Sequence, residues 1–331
     1  MATLKDIAQK VGTSITTVSR VLNYDDSLSV SEKVRKNIFD TASKLNYKLP
    51  KKKRDTIQKK RYKVGIAHWY DVQQELEDPY YLMIRKGIEK AAFDMDIDTT
   101  ILYKEKGEYN LKNVQGLDGL ICVGKFSSAQ INRFSKLTTN LVFVDSSPNV
   151  DLYDSVVIDF NKAVKDLLNE IIKEGYSKIG YIGGVEKINS HTVLGERREL
   201  VFRDYLFQKN KLNHKYIHIG TFSSESGYEL MKDALSKKDY AEIYFCANDS
   251  IAIGALRAIH EKGLKIPGDI SLVGFNDNPG TEYTYPPLST VKVYTEFMGE
   301  QSIQSLRERI EGRTIPIRKI VPTIIVKRKS F

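Results

Sequence analysis

The stretch Thr3–Asn23, TLKDIAQKVGTSITTVSRVLN, decides how this chain is read. Its first half sets Leu4, Ile7, Ala8 and Val11 at the i, i+3, i+4, i+7 spacing of one helical face. Thr3 stands before that run and Asp6 three residues later, close to the spacing of a capping box. Gly12 ends the helix, since glycine enters the left-handed region without a Cβ penalty. Ser14 is placed to cap a second helix, with Val18, Val21 and Leu22 facing inward and Ile15, Thr16, Ser19 and Arg20 facing out. Two helices so close around a glycine describe a helix-turn-helix. Hydroxyls and a guanidinium can meet phosphates and base edges, and an apolar tip can touch a thymine methyl. An ordinary helical hairpin with a polar face carries the same pattern, so the choice rests on charge.

The charge is concentrated at this end. The 331 residues carry a net +9, but residues 1–63 hold 16 Lys/Arg against 6 Asp/Glu, a net +10, and the remaining 268 residues balance to −1. A small basic head on a neutral body suits a phosphate-backbone partner. Ser29 and Glu32 have capping-box spacing and predict a third helix with Val34, Ile38, Ala42 and Leu45 on one face. Beyond it, NYKLPKKKRDTIQKKR (Asn46–Arg61) reads as a basic linker, disordered in the absence of a partner.

After Tyr62 the pattern becomes alternating strands and helices: KVGIAHW, DPYYLMIRKGIEKAAF, GLDGLICVG, NLVFVDSS, DSVVID, FNKAVKDLLNEIIKEG, KIGYIGG, a helix over about Leu194–Lys209, YIHIG, a helix near Gly227–Ser236, AEIYFCAND, SIAIGALRAIHEKG and ISLVGFND. In DPYYLMIRKGIEKAAF, Asp78 is read as the cap with Pro79 in the first turn; the aspartate opening DSIAIGALRAI, Asp249, is read as an N-cap rather than a ligand, and Asp277 likewise as no ligand. Apolar strands separated by helices imply parallel sheets covered on both faces, and so many units favour two doubly wound lobes. Ligands bind such folds in the crevice at the carboxyl ends of the strands.

Other function classes lack their motifs. No run of about 18 apolar residues predicts a membrane span, and no basic-then-apolar leader opens the chain, so a cytoplasmic protein without membrane contact is expected. Cys122 and Cys246 stand alone in apolar runs, as buried thiols. The five histidines, at 68, 191, 214, 218 and 260, lack ligand spacing, so neither metal nor cofactor is expected. The glycines of IGYIGGVE do not match a dinucleotide fingerprint, and no phosphate-loop lysine or nucleophile-elbow serine appears, so no enzyme is expected.

TLKDIAQKVGTSITTVSRVLN followed by VSEKVRKNIFDTASKLNY closely resembles the head of the lactose-repressor/galactose-repressor family of bacterial transcription regulators. The resemblance continues through ANDSIAIGALRAI, IPGDISLVGFND and YPPLSTV. HWYDVQQELEDPYYLMIRKGIE is most similar to repressors of galactose and β-galactoside operons in Gram-positive bacteria. The resemblance implies a helix-turn-helix head (1–48), a basic hinge (49–61) and a periplasmic-binding-protein-like core (62–331). That core divides into a first lobe of about 62–159 and 291–320 and a second of about 160–290 and 321–331. Ile15, Thr16 and Arg20 match the family's base-reading positions, and Thr3, Ser14, Ser19, Asn23 and Tyr47 its phosphate-holding positions. The family's hinge helix and its leucine wedge in the minor groove have no clear counterpart: Tyr47 is followed by Lys48, Leu49 and Pro50, and Thr56 stands at the leucine position. Lys51, Lys52, Lys53 and Arg54 are expected to clamp the DNA electrostatically instead.

In the core, Arg198 matches the inducer-contacting arginine, although Val201 replaces the usual glycine. Asn248 and Asn276 match two polar contacts, Phe222 an aromatic that stacks on ligand, and Asp159, Trp69 and Tyr80 positions lining the cleft. The expected partners are a palindromic operator, a second copy of the chain, and a small sugar that acts as inducer. The sugar's identity stays open among galactose, a β-galactoside, a sugar phosphate and a nucleobase alternative. So do a corepressor role and a sugar-binding protein whose basic head serves another anionic partner. No leucine heptads follow VPTIIVKRK, so the family's tetramer-forming tail is not expected.

Overall fold

The computed structural model describes residues 2–23, 25, 28–45, 47, 61–105, 107–111, 114–188 and 193–331. They fall into two compact units, Met1–Lys60 and Arg61–Phe331.

The head holds α1 (Leu4–Val11), α2 (Ile15–Leu22) and α3 (Glu32–Lys44). Thr3 Oγ1 accepts from the Asp6 N–H at 3.3 Å, and the Asp6 carboxylate accepts from the Thr3 N–H at 2.7 Å, a reciprocal capping box. Gly12 closes α1 at φ 73°. Ser14 Oγ accepts from the Thr17 N–H at 3.0 Å and starts α2. The third helix is capped by Ser31, not by Ser29: Ser31 Oγ accepts from the Val34 N–H at 3.4 Å. Glu32 thereby becomes the first helical residue, where its charge opposes the positive end of the helix dipole. Ile7, Val18, Val21 and Ile38 are fully buried, with Val34, Leu45 and Tyr47 packed partly buried around them.

The larger unit opens with β1 (Lys63–His68), α4 (Val72–Glu77), α5 (Tyr80–Asp94) and β2 (Asp98–Leu102). A short hairpin of β3 (Lys104–Glu105) and β4 (Glu108–Tyr109) leads to β5 (Gly119–Val123), α6 (Ser128–Phe134), β6 (Leu141–Val144) and β7 (Asp154–Ile158). Then come α7 (Phe160–Lys173), β8 (Ile179–Gly184), α8 (Arg197–Gln208), β9 (Ile217–Gly220), α9 (Ser224–Ser236), β10 (Ile243–Cys246), α10 (Asp249–Glu261), β11 (Ser271–Asn276) and β12 (Ser289–Val293). Helix α11 (Thr295–Ile310), β13 (Arg318–Val321) and β14 (Thr323–Val326) complete it.

Two six-stranded sheets result. The first, in the order β13-β7-β6-β5-β1-β2, is parallel throughout. The second, β14-β12-β11-β10-β8-β9, is parallel except for β14, which runs antiparallel to β12. Every residue of β5, β6, β7, β8, β10 and β11 is buried, as strands covered on both faces require.

The chain passes between the sheets three times. It leaves the first sheet at Ile158, returns after Val293, and leaves again after Val321. The sequence reading put the last two crossings at 290/291 and 320/321. Ladder pairing moves them: Val293 still pairs with Thr323 in the second sheet, and Val321 with Ile158 in the first.

Three helix starts also differ from expectation. Pro79, not Asp78, takes the cap position of α5, although the Asp78 carboxylate accepts from the Tyr80 N–H at 3.3 Å. Helix α8 begins at Arg197 rather than near Leu194, because Glu196 caps it. Asn248, not Asp249, caps α10, its Oδ1 accepting from the Ile251 N–H at 2.9 Å. Asp249 turns inward and accepts from the Thr290 hydroxyl at 2.6 Å and the Asn278 N–H at 2.7 Å; burial pushes its carboxyl up to about 8.

Glycines set the closest helix contacts. A methyl group on Gly87 would lie 2.0 Å from the Glu296 carbonyl oxygen, and one on Gly254 1.8 Å from that of Ser224. The pairs α5/α11 and α9/α10 therefore meet backbone to backbone. Gly254→Ala should cost about 1–3 kcal/mol through overpacking, read as a lower chemical-denaturation midpoint. An unchanged midpoint would mean that α9 and α10 part without cost.

Candidate functional site

In the head, Ser14, Ile15 and Thr16 are exposed, and Ser19 and Arg20 half-buried, along one side of α2. Ile15 is 48% exposed, an apolar tip at the start of the helix. Arg20 Nε lies 2.7 Å from Asp25 Oδ2, in a pair open enough to solvent to contribute at most about 1 kcal/mol, so a phosphate or base edge can compete for it. Asn23 Nδ2 donates to the Ser19 carbonyl at 2.7 Å. The Thr3 hydroxyl donates to Asp6 Oδ2 at 2.8 Å, so its proton is committed within the cap. Tyr47 packs against the head's core, its N–H donating to Ala42 O at 2.9 Å. Lys51, Lys52, Lys53, Arg54 and nearly all of the basic hinge lie outside the described residues.

In the larger unit, residues at the carboxyl ends of strands from both sheets, among them Asp145 after β6 and Asn276 at the end of β11, line one cleft. Arg198 sits at its centre and is 8% exposed. Its Nε donates to Glu196 Oε1 at 2.6 Å and its Nη1 to the Ala247 carbonyl at 2.7 Å. The Tyr181 hydroxyl donates to Glu196 Oε2 at 2.6 Å. The rings of Phe160, Phe222 and Phe275 stand 5.4, 5.5 and 5.3 Å from the guanidinium carbon. Burial works against the Arg198 charge, but Glu196, together with Tyr181 and Glu186, outweighs it and holds the pKa above the ordinary arginine value.

Opposite Arg198, the first lobe contributes an aspartate and its tyrosines. The hydroxyls of Tyr80 and Tyr81 donate to Asp145 at 3.1 and 2.7 Å. Burial, with the Asp145 charge second, pushes both phenols well above their usual range, so they act as donors. Asp145, Asn276 and Asp277 hold left-handed backbone at φ 65°, 113° and 60°, strain of about 1–3 kcal/mol each at the strand ends. Asp277 is occupied by Arg328 at 2.8 Å and Lys292 at 3.2 Å.

Polar pairs join the lobes across the cleft. Asn248 Nδ2 of the second lobe donates to Asp78 Oδ2 of the first at 2.9 Å, and Lys125 of the first pairs with Glu186 of the second. Burial raises the Asp78 and Glu186 carboxyls, while Asn248 and Lys125 respectively pull them back down. Helix α4 forms one lip. Its buried Glu75 holds it in place, accepting from the Tyr103 hydroxyl at 3.0 Å and from Arg85 Nη2 at 3.3 Å.

Of the sequence-predicted ligand residues, Tyr80, Arg198, Phe222 and Asn276 meet at the cleft's centre. Trp69, with Phe222, lines an adjoining cavity of about 340 Å³. Asp159 lines a second cavity of about 710 Å³ and also caps α7, accepting from the Lys162 N–H at 3.0 Å. Asn248 is engaged in its cap and its bond to Asp78. Among the described residues no cluster of His, Cys, Asp or Glu could hold a metal ion.

Residues 3–49 match the description of bacterial regulatory proteins of the lacI family, and residues 168–331 that of a periplasmic binding protein-like domain. The whole chain is 38% identical over 333 residues to the HTH-type transcriptional regulator GalR of Streptococcus thermophilus, covering 99% of it. It is 36% identical over 338 residues to the HTH-type transcriptional repressor MelR of Bacillus subtilis, covering 97% of that protein. This chain belongs to the lacI family of bacterial regulatory proteins. Its fold is that of the lac repressor dimer bound to operator and an anti-inducer, with a TM-score of 0.70 and 24% identity over 99% of this chain and 98% of that one. As a lacI-family protein it is a transcriptional regulator and not an enzyme, like the relatives it matches.

Sequence reasoning missed Tyr70, Asp78, Tyr81, Lys125, Asp145, Glu186 and Glu196, which stand at the cleft or hold Arg198. One signal was present: Asp145 and Glu186 follow strands whose carboxyl ends must face the crevice. Removing one partner of a buried ion pair strands the other charge. Glu196→Gln should therefore destabilise the core by about 3–5 kcal/mol in chemical denaturation. A variant as stable as the parent would show that Glu196 does not hold the Arg198 charge.

Proposed function

We propose that this lacI-family protein is a cytoplasmic, dimeric repressor of a sugar-utilisation operon, released from a palindromic operator by galactose or a galactoside bound in the cleft. The observation that carries this reading is the Arg198 guanidinium, flanked by three aromatic rings, in a cleft that Asp78–Asn248 and Lys125–Glu186 cross from lobe to lobe. Sugars offer flat apolar faces to aromatics and hydroxyls that donate and accept in fixed directions. The relatives named GalR, and a structural neighbour described as the complex of the regulator CelR with cellobiose (TM-score 0.70, 23% identity, all of both chains), support a carbohydrate effector.

On the DNA side, Ile15, Thr16 and Arg20 read bases, while Ser14, Ser19, Asn23 and Tyr47 hold phosphates, Thr3 joins them once its hydroxyl turns from Asp6 to a phosphate oxygen, and Lys51–Arg54 add charge. One such head makes modest contact, and two on half-sites about one helical turn apart give specificity. A sugar that changes how the lobes close needs a differential binding of about 1–3 kcal/mol to alter operator affinity roughly 5–150-fold.

Fluorescence anisotropy with an operator fragment tests this. Galactose or a galactoside should weaken operator binding. Phe222→Ala, which strands no buried charge as Arg198→Ala strands Glu196, should keep operator binding and lose the response, as should Arg198→Ala where it folds. Arg20→Ala should lose about 1–3 kcal/mol of operator affinity and still bind sugar. Sugar-strengthened DNA binding would replace the inducer with a corepressor. No preference for any promoter fragment over random duplex would overturn the reading.

A further inference from the structure

The turn after α2 places an acid in a basic head. Asp6 serves the cap of α1 and Glu32 opens α3, but Asp25 is set against Arg20 on the outward side of α2. Two bonds fix it there. The Asp25 N–H donates to the Arg20 carbonyl at 3.0 Å, the outer bond of a Schellman closure that folds the chain back over the end of the helix. The Asp25 carboxylate then accepts from Arg20 Nε at 2.7 Å. One residue thus holds another at both its backbone and its guanidinium.

We propose that Asp25 is a positioning residue for DNA recognition: it steers Arg20 to a base edge and away from phosphates, and so sets the head's preference for its own site over other duplex. This rests on the reading of Arg20 as a base contact and adds the residue that directs it. Arginine reads guanine in the major groove through two parallel bonds, to O6 and N7. The guanidinium carries five N–H donors, so its Nη edge can make that pair while Nε stays on the carboxylate. A long side chain loses rotamer freedom when it binds, and a bond already made at Nε takes part of that loss before DNA arrives. A phosphate contact has the opposite effect. Drawing the guanidinium onto the DNA backbone leaves the Asp25 charge uncompensated beside a polyanion that repels it. The same carboxylate therefore favours one contact and penalises the other, and specificity is that difference of affinities. The two side chains are 41% and 34% exposed, so the leverage is that of a half-open ion pair, up to about fivefold in a binding constant for each head.

Selection by the full chain from a pool of randomised duplexes defines its preferred site. Fluorescence anisotropy at one fixed salt concentration then gives Kd for that duplex and for a scrambled duplex of the same composition. Asp25→Ala should tighten binding to the scrambled duplex, weaken binding to the selected one, and narrow the ratio of the two by about fivefold. Arg20→Ala should narrow the ratio by itself, and adding Asp25→Ala to it should narrow it no further. A turn that is merely loosened would lower the ratio in both backgrounds. An unchanged ratio in Asp25→Ala, or an equal fall with and without Arg20, would overturn the positioning role and leave the head a reader of DNA. A parent with no preference for any selected duplex, or an Arg20→Ala ratio equal to the parent's, would overturn the base-reading role of Arg20 itself.

Discussion

A guanidinium buried in a protein core costs several kcal/mol unless it is paired and hydrogen-bonded, and the second lobe is arranged around that requirement at Arg198. The cap of α8 supplies Glu196, β8 supplies the Tyr181 hydroxyl that orients it, and the end of β10 supplies the Ala247 carbonyl. Phe160, Phe222 and Phe275 close around the planar group. A lysine could not use this site equally, because its point charge lacks the flat fork that both stacks on rings and donates in two directions. The guanidinium is thus fixed before a ligand arrives, which removes part of the ordering cost of binding.

Everything across from Arg198 belongs to the other lobe. Tyr80 and Tyr81 open α5, Asp145, Asp78 and Lys125 stand in the first lobe's loops, and this set meets Asn248 and Glu186 of the second lobe. A ligand entering the cleft must exchange contacts with both sets. It therefore bears on the relation between the lobes, and the chain's three crossings at Ile158, Val293 and Val321 leave few covalent constraints on that relation. In the proposed mechanism this is the two-state element that sugar and operator both bias.

The head was legible because its signals are local. The helical spacing of Leu4, Ile7, Ala8 and Val11 and the caps at Thr3 and Ser14 lie within a few residues of what they organise. Parallel strands such as LVFV were legible because burial on both faces makes them continuously apolar. Helix α4 was not, since its polarity is inverted: Val72 and Leu76 are 58% and 74% exposed while Glu75 is buried. The edge strand β2 alternates exposed and half-buried residues and reads as loop. In the cleft, Arg198, Phe222 and Asn276 came from motif resemblance, whereas Asp78, Lys125 and Glu186 acquire a role only when the two lobes face each other. Asp78 and Asp249 illustrate the limit, because an aspartate before a helix reads as a cap, and in both places a neighbour takes the cap position.

In the proposed mechanism the cleft and the head share a coupling free energy, and coupling of this kind is reciprocal. The most direct measurement is calorimetric titration of a galactoside into the free protein and into its complex with saturating operator. The account predicts weaker sugar binding by the operator-bound protein, by the same factor by which the sugar weakens operator affinity. Equal sugar affinity in the two states would contradict it, however tightly each ligand binds alone.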